Sequence, residues 1–244
     1  MSPRTTLAVA ERVLRQLRHD PRTIALLLIV PSALLVLVRY VLDDAGEFER
    51  VGIPMMGLFP LITMFLATSI TMLRERTTGT LERLMTLPLA KLDLLLGYAI
   101  AFGVVATVQA ALVSTIGFTW LDLDAGHSTL LVVALAVGNG LLGMAMGLLI
   151  SAFASTEFQV VQFMPAFVLP QILLCGLFQP REEMAPALEA ASDLLPLTYA
   201  FDALLRAASP GELGSRFAAD IAVLAGAALL ALVLGAATLR RRTP

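Results

Sequence analysis

Six long apolar segments constrain the fold of this chain more than any other feature. A helix needs about 20 apolar residues to cross a bilayer core about 30 Å thick. The segments of sufficient length are residues 23–42, 51–73, 92–120, 129–153, 158–178 and 217–239. The sequence therefore predicts an all-α integral membrane protein with six transmembrane helices.

The composition agrees with a chain that lies mainly in lipid. Of its 244 residues, 58% are hydrophobic and 15% are charged, whereas soluble domains carry about 45–50% apolar and about 25% charged residues. Too little polar sequence is left for a separate catalytic domain of about 100 residues. We expect one transmembrane domain over residues 1–244, with an amphipathic segment at 1–22, a loop at 74–91 and an outer segment at 179–216.

The distribution of Lys and Arg among the loops predicts the orientation. Cytoplasmic loops carry an excess of these residues. One side would hold Arg4, Arg12, Arg15, Arg18 and Arg22, then Arg74, Arg76, Arg83 and Lys91, then Arg240, Arg241 and Arg242. The opposite side mixes a few Arg residues with many acids. Both termini are therefore expected in the cytoplasm, and an even number of spans agrees.

The segment before the first span has the spacing of an amphipathic helix. Leu7, Ala10, Leu14 and Leu17 recur at helical intervals, with Arg12, Arg15 and Arg18 between them. Such a helix lies in the membrane interface with its basic residues toward anionic headgroups. A solvated basic tail is the alternative. The pair Asp20-Pro21 is expected to end the helix.

A charged loop, residues 74–88, separates the second and third spans. Leu81, Leu84 and Met85 fall at helical spacing and predict one apolar face. Thr77 or Thr78 could cap the helix start, Gly79 allows a turn, and Pro88 would end the element. The pattern favours a short helix that docks onto something, because a plain connector needs neither a cap nor an apolar face. A solvated connector is the alternative.

The outer segment between the fifth and sixth spans predicts two short helices. Met184, Leu188, Ala191 and Leu195 share one helical face, and Pro196 then interrupts the pattern. Residues 198–207 form the second helical pattern, in which Asp202 and Arg206 stand four residues apart and could pair.

Small and polar residues within the spans suggest packing contacts and a possible route. Glycines at four-residue spacing allow close helix approach in lipid, and here they are Gly143 and Gly147, with Gly140 paired to Ala136. Residues 138–143 match the glycine pattern of a dinucleotide-binding motif, but no strand precedes them, so we do not expect them to bind a cofactor. Gln159 and Gln162 share a face near Pro165 and Pro170 and could line a route or gate, together with Asn139; interhelical hydrogen bonding is the equal alternative.

These motifs together resemble the membrane subunit of a type-2 ABC exporter, the permease family for drugs, lipids and polysaccharides. The resemblance covers essentially the whole chain and includes the N-terminal helix ending in Asp20-Pro21-Arg22 and the segment 195–206. The loop residues that carry it are Glu75, Gly79, Thr80, Leu81, Glu82, Leu84 and Pro88. It implies a fold with an N-terminal elbow helix, a cytoplasmic coupling helix between spans two and three, and short outer helices between spans five and six.

The resemblance also implies a partner and a location. Residues 79–85 would dock on a separate cytoplasmic ATPase, with Glu75 and Arg76 at the base of the contact. The docking set would be Glu75, Arg76, Gly79, Thr80, Leu81, Glu82, Leu84 and Met85. The partner would bind ATP and Mg, and a second permease copy or sister permease would complete the transporter in a bacterial inner membrane.

The sequence also restricts the alternatives. It contains no Gly-x-x-x-x-Gly-Lys-Ser/Thr phosphate loop, so hydrolysis of ATP is expected in the partner. We expect no catalytic residue, cofactor site or metal site in this chain. An ion-coupled carrier usually needs deep carboxylates, and a non-transporting scaffold remains open. The lipophilic spans favour a drug or lipid as the substrate.

Overall fold

The computed structural model describes residues 2–42, 44–86, 90–209 and 213–238. Within them the chain forms ten α-helices and no strand, so the fold is all-α as predicted. The helices are α1 (Pro3–Arg18), α2 (Pro21–Val41), α3 (Ala45–Thr77), α4 (Thr80–Thr86), α5 (Lys91–Thr119), α6 (Thr129–Ile150), α7 (Glu157–Leu174), α8 (Pro186–Ser192), α9 (Pro196–Ala208) and α10 (Ser215–Thr238). A 3₁₀ turn, Arg181–Glu183, precedes α8.

Six of the described helices are long and apolar enough to cross a bilayer: α2, α3, α5, α6, α7 and α10. They correspond to the six predicted spans. Pro88, residue 239 and the basic residues 240–242, which entered the sequence predictions, lie outside the described part of the chain.

Helix α3 runs farther than the sequence suggested. It has 33 residues and continues through Thr77, so the first residues of the predicted loop form its last turn. Arg and Glu are good helix formers and do not interrupt a helix. The chain turns at Gly79, whose φ of +73° is accessible to glycine at little cost.

The packing of α3 against α6 forms the centre of the bundle. In the most apolar 18-residue stretch of each of these two helices, 61% of the stretch is buried. The corresponding share is 17% for α7 and for α10. A Cβ at Gly143 would lie 2.1 Å from the Leu61 carbonyl oxygen, and one at Gly147 would lie 2.5 Å from that of Phe65. The Ser69 hydroxyl lies 3.0 Å from the Gly147 carbonyl oxygen. The two backbones approach closely because these positions of α6 carry no side chain.

Helix α1 packs along α5 with a face slightly shifted from the one predicted: Ala10 and Leu17 are buried and Leu14 packs against the same cluster, as expected. Its buried residues are Thr6, Val9, Ala10, Val13 and Leu17. The prediction included Leu7, which is 58% exposed. A Cβ at Gly97 of α5 would lie 2.5 Å from Val9 Cγ1, so α1 rests on this glycine. Tertiary contact with α5 therefore rotates the buried face toward the two valines.

The bundle has two distinct ends. We call the end that carries α1 and α4 the elbow end, and the end that carries α8 and α9 the cap end. At the cap end, the two short helices α8 and α9 replace a simple loop, as the sequence predicted. The chain enters this segment through Gly176, which has a φ of +99°.

Substitution of Gly143 by Ala tests the central contact between α3 and α6. The added methyl group meets the Leu61 backbone, which cannot rotate away. Overpacking of this kind costs about 1–3 kcal/mol. We expect Gly143→Ala to lower the thermal unfolding temperature of the purified protein in detergent.

Gly138→Ala is the matched control on the same helix. A Cβ there would meet only the end of the Leu224 side chain, at the ordinary contact distance of 3.6 Å. Alanine is the better helix former by about 1 kcal/mol, so this variant should be as stable as the wild type or more stable. Equal unfolding temperatures for the two variants would contradict the close approach.

Candidate functional site

Helix α4 lies on the elbow end of the bundle and turns its apolar face inward. Leu81 is 9% exposed and belongs to a hydrophobic cluster that includes Val13, Met72 and Tyr98. Leu84 and Met85 pack against the same cluster. The apolar face therefore seats α4 on its own bundle, and the sequence had no means of distinguishing this from contact with a partner.

The exposed face of α4 is polar. Glu82, Arg83 and Thr86 are exposed there, next to the exposed Thr78 that precedes the helix. Gly79 and Thr80 are half-buried at the turn into α4. Any partner that contacts α4 in this arrangement meets charged and hydroxyl groups rather than the predicted apolar face.

The predicted cap of α4 is wrong. Thr77 Oγ1 donates to the Leu73 carbonyl at 3.1 Å, and Thr78 Oγ1 donates to the Arg74 carbonyl at 2.7 Å. Both hydroxyls thus bond back into α3. The cause is the longer α3, which places both threonines at its carboxyl end, within reach of carbonyl groups three and four residues back.

The last turn of α3 connects three other helices through three consecutive residues. Arg74 Nε lies 2.6 Å from Glu157 Oε1 on α7, and Glu75 Oε1 lies 2.7 Å from Arg12 Nη2 on α1. Arg76 Nη2 donates to Thr238 Oγ1 on α10 at 3.3 Å. Successive residues of a helix point about 100° apart, so adjacent side chains reach different neighbours.

Glu75 is the buried member of this turn. It is 4% exposed, and its carboxylate oxygens accept no hydrogen bond of good geometry from the described residues. Arg12, at ion-pair distance, supplies the compensating charge, and the buried Tyr98 lies within electrostatic reach of both groups. Arg12 therefore faces Glu75, although the sequence pattern suggested that it faces lipid headgroups.

Asp93 attaches the start of α1 to α5. Its buried carboxylate accepts hydrogen bonds from Ser2 N at 3.3 Å, Thr5 Oγ1 at 3.1 Å and Thr6 Oγ1 at 3.3 Å. A negative charge at a helix amino terminus is favourable because the free N–H groups and the helix dipole point toward it. Asp93 belongs to none of the sequence motifs described above. About 90 residues separate the partners, and no local pattern reports their contact.

A cavity of about 340 Å³ opens beside α4, between α1, α2 and α3. Asp20, Thr71, Glu75 and Thr80 are among its lining residues. Asp20 caps α2, where hydrogen bonds from the hydroxyl and backbone N–H of Thr23 lower the pKa of its carboxyl group. The elbow end therefore offers both a polar helix face and a depression with polar and apolar walls.

The three residues predicted for a route or gate do not lie together. Asn139 is buried inside the bundle, and its amide group packs at Gly57 of α3. Gln159 and Gln162 lie on the exposed side of α7. Gln159 Oε1 accepts a hydrogen bond from Ser155 N at 2.7 Å, and Thr156 Oγ1 caps the start of α7 by accepting one from Gln159 N at 3.2 Å.

Ion pairs at the cap end differ from the predicted one. Asp202 pairs with Arg181 at 2.9 Å, and Arg206 pairs with Asp220 of α10 at 3.0 Å, so Asp202 and Arg206 do not pair with each other. Burial raises the pKa of the Asp202 carboxyl, although Arg181 opposes the shift. Arg181 and Asp220 lie outside α9, and their ion pairs form in place of the pair that the four-residue spacing within α9 predicted.

Replacement of Arg12 by Ala tests the buried ion pair at the elbow end. It leaves Glu75 buried without a compensating charge, which costs about 3–5 kcal/mol in a fully buried pair. The Arg12 side chain is 27% exposed, so a loss at the lower end of that range is expected. The measurement is thermal unfolding in detergent.

Arg15→Ala is the control on the same helix. Arg15 pairs with Glu11 through side chains that are 67% and 70% exposed, and exposed pairs contribute little. Its unfolding temperature should stay near that of the wild type. A loss in Arg15→Ala as large as that in Arg12→Ala would show that the stability does not come from burial of Glu75.

Comparison with known proteins gives the family. Residues 4–208 match the family described as ABC-2 type transporter. The chain is 32% identical over 148 residues to the probable multidrug ABC transporter permease YbhR of Escherichia coli, an alignment that covers 61% of this chain and 40% of that protein. It is 25% identical over 148 residues to the linearmycin resistance permease protein LnrN of Bacillus subtilis, covering 60% of this chain and 38% of that protein.

The family match extends over α1 to α9 and so includes the elbow end, the central α3–α6 contact and the cap end. The chain spans about 40% of the length of these curated relatives in the aligned part. Six apolar helices and this match identify a membrane subunit of the permease type. The chain belongs to the ABC-2 type transporter family.

Proposed function

We propose that this chain is the membrane-spanning subunit of an ATP-driven exporter that moves a lipophilic drug or lipid out of the cytoplasm. A separate ATPase would bind the elbow end at α4. The observation that carries this proposal is the position of α4, which is seated on the bundle by Leu81 and exposes Glu82 and Arg83. The family match supports it.

The docking surface in this proposal is the polar face of α4 with the adjacent cavity. Glu82, Arg83 and Thr86 would contact the ATPase, while Leu81, Leu84 and Met85 keep α4 on the bundle. Glu75 and Arg76 then act from behind the contact, through α1 and α10. A firmly seated α4 transmits a displacement better than a loosely held loop, because packed elements move together.

ATP and Mg would be bound by the partner, and this chain would need no cofactor of its own. ATP binding can shift the permease between two conformations only by the free-energy difference that the contact transmits. The Lys and Arg distribution supports a cytoplasmic elbow end with both termini inside, in the inner membrane of a bacterium.

The proposed substrate class rests on the spans and on the relatives. The bundle interior is lined by apolar residues and a few amides, such as Asn139 of α6 and Gln109 of α5. The similar proteins YbhR and LnrN are named for multidrug transport and for linearmycin resistance. A lipophilic compound suits such an interior better than a charged glycan.

The weakly packed helices favour pairing with a second permease subunit. The most apolar windows of α2, α7 and α10 are only 22%, 17% and 17% buried. Faces of this kind must be covered by lipid or by another subunit. A second copy or a sister permease would place two elbow ends side by side for two ATPase subunits.

Reconstitution with the ATPase tests the function. The chain would be co-expressed with a phosphate-loop ATPase encoded by a neighbouring reading frame, purified with it and placed in liposomes. A lipophilic fluorescent dye and a fluorescent phospholipid would report movement. ATP-dependent movement supports the proposal. Movement in the absence of the ATPase would indicate an ion-coupled carrier, and co-purification without any movement would indicate a scaffold.

Charge reversal on α4 tests the docking surface. Glu82→Arg with Arg83→Glu changes two exposed side chains, so the unfolding temperature should stay within about 1–2 °C of the wild type, since surface changes usually stay within about 0.5 kcal/mol. We expect at least a tenfold loss of ATPase binding, measured by co-purification and by hydrolysis rate.

Two further variants give the controls. Glu189→Arg changes an exposed acid at the cap end and should leave ATPase binding unchanged. Leu81→Asp places a charge in the cluster beneath α4 and should lower the unfolding temperature as well as ATPase binding. Normal binding by the doubly reversed variant would exclude the exposed face of α4 as the contact.

A further inference from the structure

The polar contacts of α7 lie at its two ends, and Val160 and Val168 are its buried apolar side chains. Its most apolar window is 17% buried, so the bundle covers little of its length. Among the described residues, two polar side-chain contacts connect α7 to other helices. At the elbow end Glu157 pairs with Arg74 of α3, and at the cap end Gln171 Oε1 accepts a hydrogen bond from Leu197 N at 3.4 Å.

We propose that the Arg74–Glu157 ion pair is a latch that holds the elbow end of α7 against α3 and must open during each transport cycle. The inference rests on the proposed function, since a latch has meaning only in a protein that changes conformation to transport. In this role Arg74 and Glu157 are positioning residues that act through α7.

The position of Arg74 connects the latch to the docking helix. Arg74 lies in the last turn of α3, and α4 begins at Thr80. A displacement of α4 by a partner therefore acts on this turn through the short connection at Thr78 and Gly79. Glu157 is the first residue of α7, so the pair joins the ends of the two helices.

The Arg74–Glu157 pair is more exposed than the adjacent Arg12–Glu75 pair. The Arg74 and Glu157 side chains are 59% and 50% exposed, whereas the side chain of Glu75, in its pair with Arg12, is 5% exposed. Water solvates exposed charges after separation, so an exposed pair breaks at small cost, while a separated buried charge is left uncompensated. Helices α1, α3 and α4 should thus stay together while α7 detaches.

The sequence of α7 allows such a movement. Pro165 and Pro170 lie inside the helix, where proline removes a backbone hydrogen bond and permits bending. The cap end remains attached through Gln171. A movement that pivots there opens a gap at the elbow end along the buried face of α7, where Val160 lies in its first turn.

Crosslinking tests whether the latch must open. Arg74→Cys and Glu157→Cys would be combined in a Cys175→Ser background and bridged with a short bis-methanethiosulfonate reagent in liposomes that contain the ATPase. We expect at least a tenfold loss of dye transport on bridging and recovery after reduction. Each single-cysteine variant with the same reagent is the control and should transport normally. Bridged protein that transports within twofold of the unbridged protein would overturn the latch, because a static contact tolerates a bridge.

A charge exchange provides a second measurement that does not depend on cysteine. Arg74→Glu and Glu157→Arg should each lower the amount of dye moved per ATP hydrolysed by at least fivefold, and their combination should recover it to within twofold. Single variants without effect, or a double variant no better than the poorer single one, would overturn the latch. A wild-type chain that moves no substrate with the ATPase present would instead overturn the proposed function, and the latch with it.

Discussion

The close approach of α3 and α6 is the contact on which the rest of the structure depends. Within a bilayer, lipid solvates apolar side chains as well as protein does, so helices associate through shape and through backbone proximity. Gly143 and Gly147 let the α3 backbone approach to a distance at which no Cβ fits. This contact fixes the position of α3, and α3 in turn connects α1, α4, α7 and α10 at the elbow end.

The connection at the elbow end uses two kinds of polar contact. Buried contacts, made by Glu75 to Arg12 and by Asp93 to the start of α1, make α1 a fixed part of the bundle. The exposed pair between Arg74 and Glu157 holds a helix that is otherwise weakly packed. The last turn of α3 therefore holds α1 firmly and α7 weakly. This difference suits the proposed transport cycle, in which some helices move relative to others.

Much of the fold followed from the sequence, and the errors have one common cause. Lengths of apolar segments predicted the six spans, and proline and helical spacing predicted α1, α8 and α9. The placement of Leu7 on the buried face of α1, the cap at Thr77 or Thr78, and the pair of Asp202 with Arg206 were wrong. Each of these was inferred from residues near in sequence, whereas Gly97, a longer α3, and Arg181 with Asp220 decided the outcome.

The candidate site at α4 was also predicted only in part from the sequence. Sequence pattern located α4 and its apolar stripe, because a repeat of three and four residues reports amphipathicity. It could not tell whether that stripe meets a partner or the bundle, and only the tertiary structure turned Leu81 inward and left Glu82 and Arg83 exposed. The sequence by itself determined that the chain is a six-span helical protein with a polar interruption after the second span, since bilayer thickness and backbone hydrogen bonding leave no other arrangement. The tertiary structure decided which charges pair, because contacts between Asp93 and Thr5 or between Arg74 and Glu157 join residues more than 80 positions apart.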